Sequence, residues 1–519
     1  MDSQNQQPGF VERYQRALQD PQLQRALSNV IAKTSAVRPL AIASASDDWE
    51  RLRQRAREVK EHTINNLDYY LEQFALNVER QGGNICWAND AAEANLYITN
   101  LARERGARLA VKGKSMISEE IELNRALKEA GIEALETDLG EFIVQLAGER
   151  PSHINMPAIH KTRRDVADLF TEKLKFEHTE EIPRLAGLAR KLLRERFAAA
   201  EIGITGVNFA VAETGTIVLV ENEGNIRMTT SLPRLHVAIM SIEKIIPALA
   251  DLKVFLQLLS LSASGQKAVS YVSLLTGVKR LAREEGPEEF HLVILDNGRS
   301  NMLANPHLRE SLYCIRCGAC LNSCPVYQKI GGHAYGWVYP GPIGAVLTPQ
   351  LIGREKSKDL PFASSLCGAC YEVCPVKINI PRMLLHLRSE IKEGIDASEH
   401  TAPDSNVSNQ ELSSLARLKR GIRQIAEHSA FRAWARIMNS ERAYRRIARL
   451  LRFAQKLFGY TQHKARRGLP VPGWTSTRDF PLFAERSFRE QWAEEPPTVS
   501  VLEDRSPRSS HDDHDEVVS

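Results

Sequence analysis

Two short cysteine runs contain seven of the eight cysteines in the 519-residue chain. The first run reads Cys314-Ile-Arg-Cys317-Gly-Ala-Cys320-Leu-Asn-Ser-Cys324-Pro325. The second run reads Cys367-Gly-Ala-Cys370-Tyr-Glu-Val-Cys374-Pro375. Superposing the shared Cys-Gly-Ala-Cys segments matches the second run to the last three cysteines of the first, and Ser364 then takes the place of Cys314. Thiols at this density indicate that this part of the chain folds around bound metal.

The spacing favours iron–sulfur clusters, because it is the spacing of bacterial ferredoxins. There, three cysteines of a run bind one 4Fe–4S cluster, and the fourth, followed by proline, binds the neighbouring cluster. By this rule cluster 1 takes Cys314, Cys317, Cys320 and Cys374. Cluster 2 takes Cys324, Cys367 and Cys370, and its last iron needs another ligand. A pair of structural zinc sites is the alternative, but zinc requires neither the third cysteine nor Cys-Pro after both runs.

The composition is that of an ordinary globular protein, with 43% hydrophobic and 25% charged residues and a net charge of +4. The length suggests about three domains. The polar stretch from Met1 to Gln7 lacks the pattern of a signal peptide, and no uncharged apolar stretch is long enough to span a bilayer. Clustered cysteines without a signal sequence indicate metal binding in a reducing compartment, so we expect a cytoplasmic protein.

Residues 48–300, which follow an N-terminal extension of residues 1–47, have the alternation of an α/β domain. Apolar residues at three- and four-residue steps predict one long helix from Asp48 to Arg80. The following pattern predicts strands at 108–111, 132–135 and 292–296, a helix at 118–130, and antiparallel hairpins within 202–230. We therefore expect a mixed sheet with packed helices. The glycine-rich fingerprints of nicotinamide, flavin and nucleotide sites are absent from the sequence.

Residues 301–395 are predicted to form a mainly α domain around the cysteine runs, with a helix from Pro381 to Lys392 packing the second run. The insert between the runs is rich in glycine and proline, which is typical of a contact loop. His333 and Tyr335 lie in this insert and are candidates for positions near a cluster. A glycine-rich turn with a packed tyrosine explains them equally well.

A polar linker at 396–410 precedes a basic helical region at 411–492. Between Glu411 and Pro470, fifteen Lys/Arg against three Asp/Glu give a net charge of +12, and a helix is predicted at 443–457. A membrane-surface helix, a nucleic-acid arm, a docking face for an acidic partner and a solvated face all fit this charge. No recognition module accompanies the basic helix, so the sequence disfavours nucleic acid. Residues 493–519 are predicted to be a disordered tail.

With these residues assembled, the chain resembles the LutB/YkgF family of lactate-utilization iron–sulfur proteins from about Asp48 to Trp492. The resemblance rests on the cysteine runs and on four segments, which are residues 203–210, 213–216, 332–336 and 339–344. It implies a LUD domain, similar in fold to CoA transferases and formyltetrahydrofolate cyclo-ligases, followed by a ferredoxin-like domain. It also implies two 4Fe–4S clusters, the second bound by three cysteines.

The resemblance, and not the residues alone, implies a function. The chain is expected to be the electron-transfer subunit of a cytoplasmic complex that oxidises L-lactate to pyruvate and allows lactate use as a carbon source. Its expected partners include a cysteine-rich heterodisulfide-reductase-like protein and a second LUD-domain protein.

Two features of the sequence leave alternatives open. The LUD domain could instead be an enzyme acting directly on a small organic acid, with the clusters as its electron outlet and with Asn208, Glu213 and Thr214 lining its pocket. A plain hairpin turn around Gly215 is the simpler interpretation of those residues. Arg316, beside Cys317, either raises the potential of a cluster or faces solvent.

Overall fold

The structure, a computed structural model, describes residues 8–44, 48–278, 286–393, 429–457, 481–484 and 486–494. The chain divides into two compact units, one extending to Ala402 and the other beginning at Pro403. Among the described residues, no helix is long and apolar enough to cross a membrane.

The strands of the first unit form two sheets rather than the single mixed sheet expected. The strands are β1 (Asn84–Ala88), β2 (Leu109–Lys112), β3 (Glu133–Glu136), β4 (Ile202–Gly206), β5 (Phe209–Val211), β6 (Thr216–Glu221), β7 (Leu235–Ser241), β8 (Ile245–Ile246), β9 (Tyr271–Leu275) and β10 (Glu289–Leu295). Six of them make a fully parallel sheet in the order β1-β10-β7-β4-β2-β3. Every residue of β7 is buried, as expected for a parallel sheet covered on both faces. The other four make a mixed sheet in the order β8-β5-β6-β9.

The segment 202–230 contains one predicted hairpin, and the second prediction there is wrong. Strands β5 and β6 pair antiparallel, and Gly215 in their turn has φ +69°. A Cβ on Gly215 would lie 2.7 Å from the backbone of Asn77, so the turn requires glycine. After β6 the chain forms a helix, not a strand, because the carboxylate of Glu221 accepts the backbone N–H groups of Ile226 and Arg227.

Helices cover the sheets and connect the strands. Those before the cysteine runs are α1 (Phe10–Gln19), α2 (Pro21–Ala43), α3 (Trp49–Asn65), α4 (Leu67–Arg80), α5 (Ala91–Glu104), α6 (Met116–Glu120), α7 (Leu123–Glu129), α8 (Leu139–Ala147), α9 (Arg163–Leu174), α10 (Ile182–Ala199), α11 (Asn225–Ser231), α12 (Leu249–Ser264) and α13 (Arg299–Ala304). The long helix predicted at 48–80 is two helices, because Asn66 leaves the helical region at φ −128° and ψ 38°. The helix predicted at 118–130 is also broken, since Glu122 is left-handed at φ 53°.

The cysteine-containing part consists of short helices, as predicted. They are α14 (Ala319–Asn322), α15 (Tyr327–Ile330), α16 (Gly341–Leu351), α17 (Arg354–Ser357), α18 (Ala369–Glu372) and α19 (Ile380–Glu393), with 3₁₀ turns at Arg309–Tyr313, His333–Tyr335 and Leu360–Phe362. Helix α19 confirms the helix predicted behind the second run.

The N-terminal helices pack against this cysteine-containing part rather than standing apart from it. The guanidinium of Arg13 in α1 donates a hydrogen bond of 2.9 Å to the carbonyl of Ala334. Arg38 in α2 donates one of 3.3 Å to the carbonyl of Val373. The start of the chain therefore holds the insert and the second cysteine run in place.

The second unit contains α20 (429–438), α21 (Glu441–Leu457) and α22 (Phe488–Glu494). Helix α21 confirms the helix predicted at 443–457. The predicted linker at 396–410, the beginning of the basic region and the tail beyond residue 494 lie outside the described residues.

Candidate metal centre

The first cysteine run is a tight turn followed by one turn of helix. Arg316 lies in the left-handed region at φ 60°, and Gly318 has φ 76° and precedes α14. The backbone N–H of Arg316 donates to Sγ of Cys314 at 3.4 Å, and that of Tyr327 donates to Sγ of Cys324 at 3.5 Å. Backbone donors of this kind stabilise negative charge on sulfur, which suits cluster ligands.

The second run repeats this geometry with serine in the first position. Leu366 and Gly368 have φ values of 55° and 87°, like their counterparts in the first run, and α18 follows. The N–H of Leu366 donates to Oγ of Ser364 at 3.1 Å, as the N–H of Arg316 does to Cys314. Ser364 therefore occupies the structural position of a first ligand, in agreement with the superposition of the sequences.

Four cysteines line one narrow cavity, and they are those that the spacing rule assigns to cluster 1: Cys314, Cys317, Cys320 and Cys374. The rest of the wall is mostly isoleucine side chains. Burial raises the pKa of the Cys374 thiol to about 11, and it also raises the pKa of Cys317 and Cys320. Thiols in such a pocket lose their protons when a metal cation replaces them, so the donor set fits an iron cluster.

The other three cysteines of the runs form a second group nearer the surface. Burial raises the pKa of Cys370 to about 12, and the charges of Cys324 and Cys367 add to this shift. Cys367 is exposed, and the backbone N–H of Ala369 together with the hydroxyl of Ser365 lowers its pKa. Helices α14 and α18, which follow the two turns, pack against each other, while the eighth cysteine, Cys86, lies in β1.

Buried cations surround Cys314. Arg316 does not face solvent, since its guanidinium stacks 4.8 Å from the ring centre of Tyr339 and pairs with Glu243 at 3.3 Å. Lys60 donates to the carbonyls of Glu243 and Ile245, and burial lowers its pKa to about 7. Burial lowers the pKa of Lys244 to about 8. The negative charge on Cys314 favours the protonated form of both lysines.

A buried network ties the cysteine part to the α/β part. Arg299 bridges Glu120 at 2.7 Å and Glu243 at 3.0 Å, and the hydroxyl of Tyr339 donates to Glu120 at 2.6 Å. Together with Arg316, this network pairs two arginines with two glutamates. The sequence analysis missed it, because its members are far apart in the chain and none belongs to a motif of charged residues.

A cavity of about 630 Å³ adjoins the four-cysteine group within the first unit. Its walls include Asn208 and the cations Lys114, Lys244 and Arg316, and Ile154 lines both this cavity and the cysteine-lined one. Glu213 and Thr214 do not line it. The carboxylate of Glu213 instead accepts the N–H of Leu249 at 3.0 Å, and the hydroxyl of Thr214 donates to Thr216 at 2.8 Å. These two residues therefore belong to the hairpin turn.

The two candidate residues of the insert, His333 and Tyr335, have different surroundings in the structure. Tyr335 is buried near Cys324 and Cys320, whose charges contribute with burial to raising its pKa. His333 lies instead beside His160, with 4.5 Å between the ring centres.

Comparison with known proteins supports these observations. A LUD domain model matches residues 71–295, a 4Fe-4S dicluster domain model matches 310–378, and a lactate utilisation protein B C-terminal model matches 405–496. The dicluster match favours iron–sulfur clusters over zinc.

Similar full-length relatives are named lactate utilization protein B. The one from Oceanobacillus iheyensis is 41% identical over 93% of this chain and 96% of its own length. Those from Geobacillus sp. (43% identical, 88% of this chain and 91% of its own) and Bacillus subtilis (40%, 93% and 96%) match similarly. A crystal structure of a DUF162 family protein from Deinococcus radiodurans is 12% identical, covers 44% of this chain and 98% of its own, and has a TM-score of 0.25.

Proposed function

Because the chain belongs to the lactate utilization protein B family, we propose that it is the electron-carrying subunit of a cytoplasmic complex that oxidises L-lactate to pyruvate. The dicluster domain supports electron transport, and the family supports lactate utilization. The observation that carries the proposal is a buried four-cysteine cavity accompanied by a three-cysteine group that reaches the surface at Cys367.

The proposed ligands follow the spacing rule and the grouping of the thiols. Cluster 1 is assigned to Cys314, Cys317, Cys320 and Cys374. Cluster 2 is assigned to Cys324, Cys367 and Cys370, with the hydroxyl of Ser364 or a water at its last iron. Both are proposed to be 4Fe–4S clusters, which when bound supply one-electron transfer.

The charges around the two groups favour a direction for the electrons. Arg316, Lys60 and Lys244 lie near Cys314, and nearby positive charge stabilises the reduced, more negative state of a cluster. Cys367 is exposed and offers a point of contact to another protein. These charges favour a higher potential for cluster 1 than for cluster 2, so electron transfer between the two clusters would run toward cluster 1, with Cys367 as the point at which another protein donates electrons.

The proposal requires partner subunits. Oxidation of lactate removes two electrons, whereas a 4Fe–4S cluster accepts one, so a separate site must carry out the two-electron step. The family resemblance supports a heterodisulfide-reductase-like protein and a second LUD-domain protein as the partners.

Lactate-dependent reduction of an electron-accepting dye tests this proposal. We expect activity from the complex and none from the isolated chain, and the Cys320→Ser variant should abolish most of the activity of the complex. Cys86→Ser, which alters a cysteine outside both runs, should leave it unchanged. Full turnover by the isolated chain, or an unaffected Cys320→Ser complex, would contradict the carrier role.

The large cavity supports a second candidate, in which the LUD domain binds a small organic acid itself. Lys114 and Arg316 line the cavity, and Nζ of Lys114 and Nη1 of Arg316 are buried without a hydrogen-bond partner among the described residues. The carboxylate of Glu141 is 4.0 Å from Lys114, beyond hydrogen-bond distance. Buried donors without partners are costly, so an anion in the cavity would stabilise them.

The acidic residues of the cavity wall accept backbone N–H groups, and the charges of Asp138 and Glu223 also act on Lys114. Glu221 accepts the N–H groups that begin α11, and Glu223 accepts the N–H of Leu139 at 3.0 Å. Asp138 accepts the N–H of Glu141 at the start of α8. Three carboxylates in the wall disfavour a polyanion but can accept a bond from a hydroxyl group, so a hydroxy- or oxo-monocarboxylate fits best.

Calorimetric titration of the isolated, cluster-loaded chain with L-lactate and pyruvate tests this candidate. Binding should be lost in Lys114→Gln and retained in Lys128→Gln, whose lysine is exposed on α7. L-Lactamide, which lacks the negative charge, should not bind. Absence of binding to the wild-type chain would remove the candidate and leave the carrier role unaffected.

A further inference from the structure

Glu149, His160 and His333 meet at a site that contains none of the cysteines of the two runs. One ligand atom from each residue lies within 4.8 Å of the others. Nε2 of His160 is 2.6 Å from Oε2 of Glu149, and the two imidazole rings are 4.5 Å apart between centres. The side chains line a cavity of about 430 Å³.

Both imidazoles use their other nitrogen to bond with the protein. Nε2 of His333 lies 2.7 Å from the carbonyl of Arg150, which can only accept, so Nε2 carries the proton and Nδ1 has a free lone pair. Nδ1 of His160 lies 2.7 Å from Oγ of Ser152, which donates its own proton to the carbonyl of Pro157. In the tautomer in which Nδ1 of His160 donates to Ser152, Nε2 has a lone pair that can bind a metal. Histidine ligands of metals are oriented in this way by their second nitrogen.

Without a metal, Nε2 of His160 donates a hydrogen bond to Oε2 of Glu149 at 2.6 Å. A bound cation would take the place of this shared proton, which is the usual exchange when a metal binds protonated ligands. A metal cation would satisfy both atoms and also the free nitrogen of His333.

We propose that Glu149, His160 and His333 bind a divalent transition-metal ion. Two imidazoles and one carboxylate form a donor set that suits zinc or ferrous iron, whereas calcium and magnesium prefer oxygen ligands alone. Ligand atoms around tetrahedral zinc are about 3.3 Å apart. The 2.6 Å separation of Glu149 and His160 therefore has to widen, and the separations of up to 4.8 Å in this group have to close by up to about 1.5 Å. The adjoining cavity leaves room for a water or an anion on the metal.

Lys161 is the strongest competitor for Glu149. Its ammonium pairs with Oε1 of the carboxylate, which leaves Oε2 to face His160. Glu149 can thus bind a metal through one oxygen while Lys161 holds the other, as ligating carboxylates are commonly hydrogen-bonded. If the ion pair with Lys161 is the only reason that Glu149 lies beside the two histidines, no metal will bind.

The site would join the two parts of the first unit. Glu149 and His160 flank the connection between α8 and α9, and His333 comes from the insert between the cysteine runs. The insert already packs closely here, since a Cβ on Gly332 would lie 1.7 Å from the carbonyl oxygen of Ser152. A bound ion would fix the insert to the α/β part.

Anaerobic equilibrium dialysis of the cluster-loaded chain against Zn(II), after removal of loosely bound metal, tests the proposal. Zinc and iron are both measured in each sample, and the iron content verifies that the iron–sulfur clusters are intact. We expect about one zinc per wild-type chain and at least about tenfold weaker binding in His160→Gln and His333→Gln. His178→Gln is the matched control and should bind like the wild type, because His178 contacts Asp168 at 2.9 Å in an exposed pair that has no third ligand among the described residues.

Two results would overturn the proposal. One is a wild-type chain that binds no more zinc than His333→Gln, and the other is zinc binding that both histidine variants retain in full. If the histidine variants lose iron, Glu149→Gln is the variant that decides, because its side chain is 34% exposed and we expect its replacement to leave the fold intact.

Discussion

The hydroxyl of Tyr335 is buried and has no hydrogen-bond partner among the described residues. A buried hydroxyl without a partner costs about 1–3 kcal/mol. The charges of Cys324 and Cys320, one from each proposed cluster, act on this phenol. Cluster sulfur is therefore the acceptor that we expect for its proton, and such a bond raises the potential of a cluster.

Replacing Tyr335 with phenylalanine should lower the potential of at least one cluster by tens of millivolts, on the order of one hydrogen bond to a charged acceptor. A redox titration monitored by EPR measures the shift. Tyr327→Phe is the control, because its hydroxyl already donates to the carbonyl of Ser152 at 2.7 Å. Equal potentials in wild type and Tyr335→Phe would show that the hydroxyl does not reach a cluster.

Ser364 defines the weakest ligand position of the proposed pair of clusters. An iron held by a hydroxyl or water is lost before one held by thiolate, so mild oxidation should give a 3Fe–4S EPR signal. Ser364→Cys should suppress most of that signal, because its thiol would take the position that Cys314 has in the first run. A signal of the same size in both proteins would place the labile iron elsewhere.

Helix α21 combines positive charge with exposed apolar side chains. Leu450, Phe453 and Leu457 are 64%, 66% and 72% exposed, and Arg445 and Arg452 pair with glutamates on the same unit. An amphipathic basic helix of this kind is typical of a docking or membrane-surface element.

Truncation after Gly394 should leave iron and sulfide content unchanged but weaken association with the partner subunits. The difference in affinity between the full and the truncated chain should be largest at low salt, because salt already screens the charge attraction at high ionic strength. Sedimentation of the mixed subunits at two ionic strengths measures it. Loss of iron from the truncated chain would instead show that the basic region supports the cluster domain.

At the scale of the whole chain, local patterns were predictable from the sequence. The spacing of the cysteines placed Cys374 with Cys314, Cys317 and Cys320, and the structure brings these four to one cavity. Alternating helices and strands indicated the α/β part, and turn residues located the β5–β6 hairpin. The hairpin follows from short-range patterns, whereas the grouping of Cys374 with the first run follows from the ferredoxin motif.

Features that depend on distant residues were not predictable. Arg299 bridges Glu120 and Glu243, which lie far from it in sequence, and Glu149 and His160 meet His333 only in the fold. Single residues also changed the expected elements, since the backbone of Asn66 divides a helix that apolar periodicity predicts as continuous. Packing between the two parts of the first unit brings these distant residues together.

Freeze-quench EPR of the assembled complex after addition of L-lactate tests the carrier role most directly. The account predicts that signals from the reduced clusters of this chain appear at least as fast as the complex turns over, and that Cys320→Ser eliminates the signal of cluster 1. Steady lactate oxidation while the clusters of the wild-type chain remain oxidised and EPR-silent would contradict it.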